Sequence, residues 1–380
     1  MKKNKILFML LYSAYNLLLL SESNIKIVKN SLSEIKSKSE RISLKLVRTW
    51  GDNDQDGYYF KTPTDIAFDN NNHIYIVDSA LNCINVFSSG GQFVRKIGKR
   101  GQGPSDLLTP LHIGIDKNNI IWVCEIGNRR IQSFSETGTS ISTIKIPIMI
   151  TSNIIFPSAN NIAFYDYNSA KDGDGIIKVI NEKGVIIKKI GLQMLPPQVN
   201  LPWLGGKYDS HEISYNYNTK VYYITYKYSQ MIQLFKENGD IIECIFYDTP
   251  INSLRLSWKQ NRKNFDIIER EKEYSECVDI DIDENGLIFI VISTRLPKRN
   301  ERVSMVFYPG GDITYSPASK NYPEKTDIYQ LMVFGRDGKI MATKQLDIYC
   351  QGITIHQNRI FLIDKTFFQK VYEYQYSIKK

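Results

Sequence analysis

The chain has 380 residues, 42% of them hydrophobic, which is more than one layered core usually holds, so either several domains or a repeated unit is required. The formal net charge of +8 includes Lys2, Lys3 and Lys5 in a segment expected to be removed, and the remaining excess is scattered, so a nucleic-acid-binding stripe is excluded. Cys83, Cys124, Cys244, Cys277 and Cys350 are dispersed and form no CxxC pair, which excludes a disulfide framework for a chain of this size.

Residues 1–23 read as a signal peptide. Met1 to Lys5 is a basic n-region, Ile6 to Leu20 an apolar h-region, and Ser21-Glu22-Ser23 offers small residues for cleavage. An uncleaved anchor is the alternative, although the apolar stretch is shorter than the ~20 residues that span a bilayer. No cysteine follows it for acylation. The chain is therefore expected to be exported to the periplasm, cell surface or medium, with no integral span after cleavage. Residues 24–43 read as a polar, lysine-rich spacer, and residues 44–380 as the folded unit.

From Leu44 onward, strand signals are nearly continuous and no helical period is sustained. A large hydrophobic residue four places before a glycine recurs in Phe87-Ser-Ser-Gly-Gly91, Phe134-Ser-Glu-Thr-Gly138, Ile180-Asn-Glu-Lys-Gly184, Phe235-Lys-Glu-Asn-Gly239 and Phe334-Gly-Arg-Asp-Gly338. Each copy predicts a hairpin whose glycine supplies the positive φ of the turn. In the first unit, Asp65 to Asp69 is strand a, His73 to Asp78 strand b, Cys83 to Phe87 strand c and Gln92 to Gly98 strand d. Later units begin at His112, Asn153, Glu212, Asp279 and Gly352. The sixth ends after its third strand, Lys370 to Ser377, and the missing fourth is supplied by Leu44 to Gly51. The pattern predicts an all-β, six-bladed β-propeller of four-stranded antiparallel blades, closed by the N-terminal strand joining the last blade.

The segments Gly57 to Asp69, Ile74 to Asp78, Gly101-Gln-Gly-Pro104 and Trp122 to Phe134 resemble NHL repeats. The stretch Lys96 to Pro104 is similar to exported six-bladed propeller proteins of bacteria, most of unassigned function. The resemblance is tight over residues 44–147 and loose beyond. It implies the fold; because NHL propellers include RNA binders, lyases and sensor ectodomains, it leaves function open.

Antiparallel order puts the start of strand a, the end of strand b, the b–c loop and the d–a loop on one rim, and the long insertions all fall there. Leu192 to His211 contains Trp203. Thr249 to Glu276 is charged, with partial helical character. Arg295 to Asp327 carries Phe307, Tyr308, Tyr315 and Tyr322. Three such loops on one rim predict a binding surface, with drift in loop length as the alternative. Trp203, Phe307, Tyr308 and Tyr315 are the candidate ligand-binding residues, since flat rings stack on sugars and anchor protein contacts.

The residues opening strand a, namely Asp65, His112, Asn153, Glu212 and Asp279, line the predicted channel mouth, and Asp78, Glu125, Asp166 and Asp364 end strand b. Such a ring suits a cation or polar ligand; the alternative is pairing with backbone amides of neighbouring blades. Some six-bladed propeller lactonases bind calcium at this place, which makes Asn153, Glu212, Asp279 and Asp65 one candidate set. A second is Asp52, Asp54 and Asp56, the first half of a DxDxDG loop whose twelfth position is Pro63 in place of glutamate. Asp281-Ile-Asp283-Glu-Asn285-Gly286 is a weaker copy. NHL-type lyases hold zinc with channel histidines, but only His73, His112, His211 and His356 exist, and the first and last fall near a–b turns; Cys350 would have to supply the third ligand. No cofactor is expected, calcium being the open alternative. The first reading is an exported, non-catalytic propeller that binds a polypeptide or glycan through one rim and no nucleic acid. The second is a metal-dependent hydrolase or lyase at the channel mouth, with His112 as general base.

Overall fold

The computed structural model describes residues 25–51, 58–146, 154–158, 161–165, 177–191, 211–227, 229–251, 256–261, 264–270, 275–307 and 313–379. Six blades, each built on four antiparallel strands, follow one another around the ring. Blade 1 is Pro63–Phe68, Ile74–Asp78, Cys83–Phe87 and Phe93–Ile97, from innermost to outermost strand. Blade 2 is Pro110–Ile115, Ile121–Glu125, Arg130–Phe134 and Ser140–Lys145. The innermost strands of blades 3 to 6 are Ile155–Ser158, His211–Asn216, Cys277–Ile282 and Ile353–His356. Each touches the innermost strand of the next blade, and the last returns to the first, so the ring is closed.

The repeated hairpin explains the blades. Gly91, Gly138, Gly184, Gly239 and Gly338 have φ between 76° and 96°, where a Cβ is strained. The hydrophobic partners Phe87, Phe134, Ile180, Phe235 and Phe334 are at most 3% exposed. Turn and core therefore come from one five-residue pattern. Closure is as expected: Ile42–Trp50 pairs antiparallel with Lys370–Ile378 and supplies the outer strand of blade 6. Trp50 is fully buried, its ring 6.0 Å from Phe361 of blade 6 and 5.9 Å from Phe87 of blade 1.

Within the stretch expected as a spacer, residues 26–41 form structure of their own. Lys26–Asn30 adds a fifth, parallel strand to the outer edge of blade 4, paired with Ile241–Tyr247. A short helix, Leu32–Ser37, follows behind a Ser31/Glu34 capping box and buries Ile35. Lys38 and Glu40 then exchange backbone hydrogen bonds with Thr343 of blade 5. The N-terminal segment thus straps blades 4, 5 and 6 in turn. A five-residue strand that buries only Val28 and Asn30 is too short to announce itself by period. Asn30 joins the two blades, donating to Phe246 O (3.2 Å) and Gly338 O (3.0 Å) and accepting from Ile340 N (2.8 Å).

The insertion between blades 4 and 5 differs from the expected partial helix. It is a hairpin, Leu256–Asn261 with Asn264–Arg270, because its charged and apolar residues alternate more than they repeat at helical spacing. The insertion in blade 5 holds a second hairpin, Val303–Phe307 with Ile313–Pro317.

Candidate functional site

An innermost strand pairs on one side only, so the N–H groups on its axial edge need other acceptors. Asp65 serves this purpose in blade 1: Oδ1 accepts from Ile66 N (2.8 Å) and Oδ2 from Ile113 N of blade 2 (3.0 Å). Asp279 repeats the geometry from blade 5, accepting from Ile280 N and from Ile353 N of blade 6, both at 2.8 Å. Asp281, two residues on and on the same strand face, accepts from Ile282 N (2.8 Å), from Ile355 N (2.7 Å) and from the Ser214 hydroxyl of blade 4 (2.8 Å). These carboxylates latch blade 1 to blade 2 and blade 5 to blades 4 and 6.

Burial pushes the Asp279 carboxyl up to about 7 and that of Asp281 up to about 6, against the lowering effect of their backbone donors. Asp65 adds a smaller repulsion to both. His112 is 7% exposed; its Nδ1 has no hydrogen-bond partner and stands 3.5 Å from Asp65 Oδ2. Glu212 is half-buried at the head of blade 4, where its charge reaches the Cys277 thiol. Cys350 donates to Gly352 O at 3.4 Å, and burial raises its thiol to about 12. His73 pairs with Asp69 at 2.8 Å and His356 with Asn72 at 2.9 Å, both at a–b turns as expected. Among the described residues, no three His, Cys, Asp or Glu side chains converge to hold a metal. Asn153, Asp166, Asp52, Asp54 and Asp56 lie outside the described residues, as does the side chain of His211.

The ends of strand b also bind backbone. Asp78 accepts from Lys61 N (2.6 Å), Thr62 N (3.1 Å) and Leu81 N (2.9 Å), which fixes the approach to blade 1. Asp364 accepts from Thr366, Phe367 and Phe368 N–H groups at 2.8–3.0 Å. Glu125 accepts from Leu108 N (2.8 Å), Asn128 Nδ2 (2.6 Å), Arg130 Nε (2.7 Å) and Gln132 Nε2 (2.7 Å).

On the insertion-bearing rim, the loop of blade 5 is held at its root. Arg295 forms a fork with Glu301, 2.7 Å at each arm, and its Nε donates to Asp327 Oδ1 at 2.8 Å. The guanidinium holds the Glu301 carboxyl below its ordinary range. Tyr322, one of the loop aromatics, donates to Phe367 O (2.8 Å) and packs edge-on against Phe367 and Phe368 of blade 6. It anchors the loop. Phe307 and Tyr315 lie on the hairpin strands, their side chains outside the described part; Trp203 and Tyr308 lie outside the described residues. The Arg295 clamp was missed because its two partners lie 6 and 32 residues away with no periodic signal.

A family described as 6-bladed beta-propeller, DUF5128, matches residues 54–249, more than half of the chain. The chain belongs to this family. A crystal structure of a duf4221 family member from Bacteroides vulgatus is similar, with TM-score 0.61 and 12% identity, over 89% of this chain and 99% of that one. A candidate exported protein from Bacteroides fragilis is similar with TM-score 0.57 and 12% identity, over 94% and 100%. At such identities the likeness shows the propeller fold alone. No curated protein matches the chain. Among the described residues, no helix is long and apolar enough to cross a membrane.

Proposed function

We propose that this protein is an exported, non-catalytic six-bladed propeller that binds a polypeptide or glycan through the rim carrying its insertions. Export follows from the signal-like residues 1–23, and the similar Bacteroides fragilis protein is itself a candidate for export. The observation that carries the binding reading is the rooted loop of blade 5. The Arg295–Glu301–Asp327 clamp and the Tyr322 anchor fix both ends of a hairpin that the blade does not need for its own sheet. A fixed projection on one rim costs less ordering entropy on binding than a loose loop. The channel mouth supports the same reading, since Asp65 and Asp279 spend both oxygens on neighbouring backbone.

The test is capture on glycan and peptide arrays by the intact protein and by a variant in which residues 303–317 are replaced with a short Gly-Ser linker. Loss of a wild-type signal in the variant, with an unchanged unfolding midpoint, is expected. An identical binding profile overturns the assignment to this loop.

A second reading, a hydrolase or lyase at the channel mouth, is favoured by one observation: the buried His112 Nδ1 lacks a hydrogen-bond partner beside Asp65. Stoichiometric metal in the purified protein that Asp279→Ala removes, together with turnover of a lactone or ester that His112→Ala abolishes, would replace the first reading with this one.

A further inference from the structure

On the rim shared with the insertions, blade 2 carries a cavity of about 560 Å³ lined by Gln102, Asn128, Arg129, Arg130, Thr143, Lys145 and Ile146. Its volume is within the range of small-ligand sites. Three of these residues are cationic and none is acidic. Arg130 is fully engaged: Nε on Glu125, and the remaining nitrogens on Gln102 O (3.0 Å), Gly103 O (3.1 Å) and Asp106 O (2.9 Å). The side chains of Arg129 and Lys145, by contrast, have no hydrogen-bond or ion-pair partner among the described residues. Two cations without a partner among the described residues therefore line one concavity.

The wall is built before any ligand arrives. Glu125 holds Asn128 and Arg130, Asn128 also donates to Gly101 O (3.0 Å), and Ile146 N donates to Arg129 O (2.9 Å). Arg129 has φ 51°, a left-handed conformation imposed by the b–c turn; the matching turn position in blade 1 is Asn82 (φ 55°) and in blade 6 Gln369 (φ 58°). Asparagine tolerates that conformation better than arginine does, so blade 2 carries its cation at a small conformational cost. The same turn sets the direction of the Arg129 Cα–Cβ bond.

We infer that this cavity binds an anionic saccharide unit, one carrying a carboxylate or a sulfate. The two cations meet the charge, while the Gln102 amide, the Oδ1 of Asn128 and the hydroxyl of Thr143 are partners for ring hydroxyls. Among the described residues the lining carries one apolar side chain, Ile146, beside six polar or charged ones, which favours a polar ligand. The inference rests on the reading of this rim as a binding surface, but on residues separate from the blade 5 hairpin.

The test is calorimetric titration of the purified protein with oligogalacturonate (carboxylates only), a chondroitin sulfate oligosaccharide (carboxylates and sulfates), maltohexaose (neutral) and poly-glutamate. Binding of at least one anionic saccharide and not of maltohexaose is expected, weakening as salt rises from 0.05 to 0.15 M. The pair Arg129→Ala and Lys145→Ala together is expected to weaken it tenfold or more with an unchanged unfolding midpoint, and the variant lacking residues 303–317 to retain it. Which of the two saccharides binds separates carboxylate from sulfate as the recognised group. Absence of binding to both, undiminished binding by the double variant, or equal binding of poly-glutamate overturns the inference. Loss of saccharide binding only in the hairpin variant overturns it as well and leaves the proposed rim function standing.

Discussion

Glu125→Gln tests whether the strand-b carboxylates are structural hubs. The Glu125 side chain is wholly buried and accepts from four donors, two on each oxygen: Arg130 Nε and Gln132 Nε2 on Oε1, Leu108 N and Asn128 Nδ2 on Oε2. Glutamine keeps the shape but turns one acceptor into a donor, so in either amide orientation two of the four donors face another N–H group. Arg130, only 11% exposed, also loses its counter-charge. Breaking a buried ion pair from one side costs about 3–5 kcal/mol. The three carbonyls that also receive Arg130 place this case near the lower limit, so a loss of about 3 kcal/mol is expected. The assay is the urea unfolding midpoint followed by far-ultraviolet circular dichroism, with the exposed Glu182→Gln as control. A loss below about 1 kcal/mol, or equal to the control, would refute the hub argument and with it the preorganised wall of the blade 2 cavity.

Trp50→Ala removes the fully buried ring at the closure of the toroid and should cost about 3–5 kcal/mol, against little for the exposed Leu46→Ala; equal effects in thermal unfolding would refute the closure role. Asn30→Ala leaves Phe246 O, Gly338 O and Ile340 N unpaired where blades 4 and 5 meet, and should cost about 2–4 kcal/mol in urea unfolding; a neutral result would make the N-terminal strap decorative. Because burial holds a proton on Asp279 to about pH 7, while an unfolded aspartate releases it near ~4, its contribution to stability falls as pH rises through that window. Wild type should therefore gain stability relative to Asp279→Asn between pH 8 and pH 5, and a difference independent of pH would show the carboxylate to be ionised throughout. His356, stacked 4.0 Å from Phe68, is lowered to about 4 by burial, so its contribution is lost as pH falls below ~6.5 and His356→Phe should flatten that loss in unfolding midpoints.

The fold was legible because a propeller repeats its constraints. Five hairpins need a glycine at positive φ and a buried residue four places earlier, and both demands appear in the sequence at every copy. The strap of residues 26–40 was not legible, since its pairing with blade 4 spans more than 200 residues and its one interior polar group, Asn30, looks like a surface residue until its partners are known. The candidate channel site sits between these cases. Residue type and position singled out Asp65 and Asp279 at the head of strand a, yet that placement serves a cation or an unpaired strand edge equally well. What separates the two is where the neighbouring N–H groups point, a property of the next blade and not of the strand that carries the aspartate. In blades 1 and 5 those groups fall within 3.0 Å of the carboxylates, so these two aspartates are engaged in joining neighbouring blades. On the rim, Arg129 and Lys145 line the blade 2 cavity with no partner for their charge among the described residues, which is why the proposed ligand site is placed there and not on the axis.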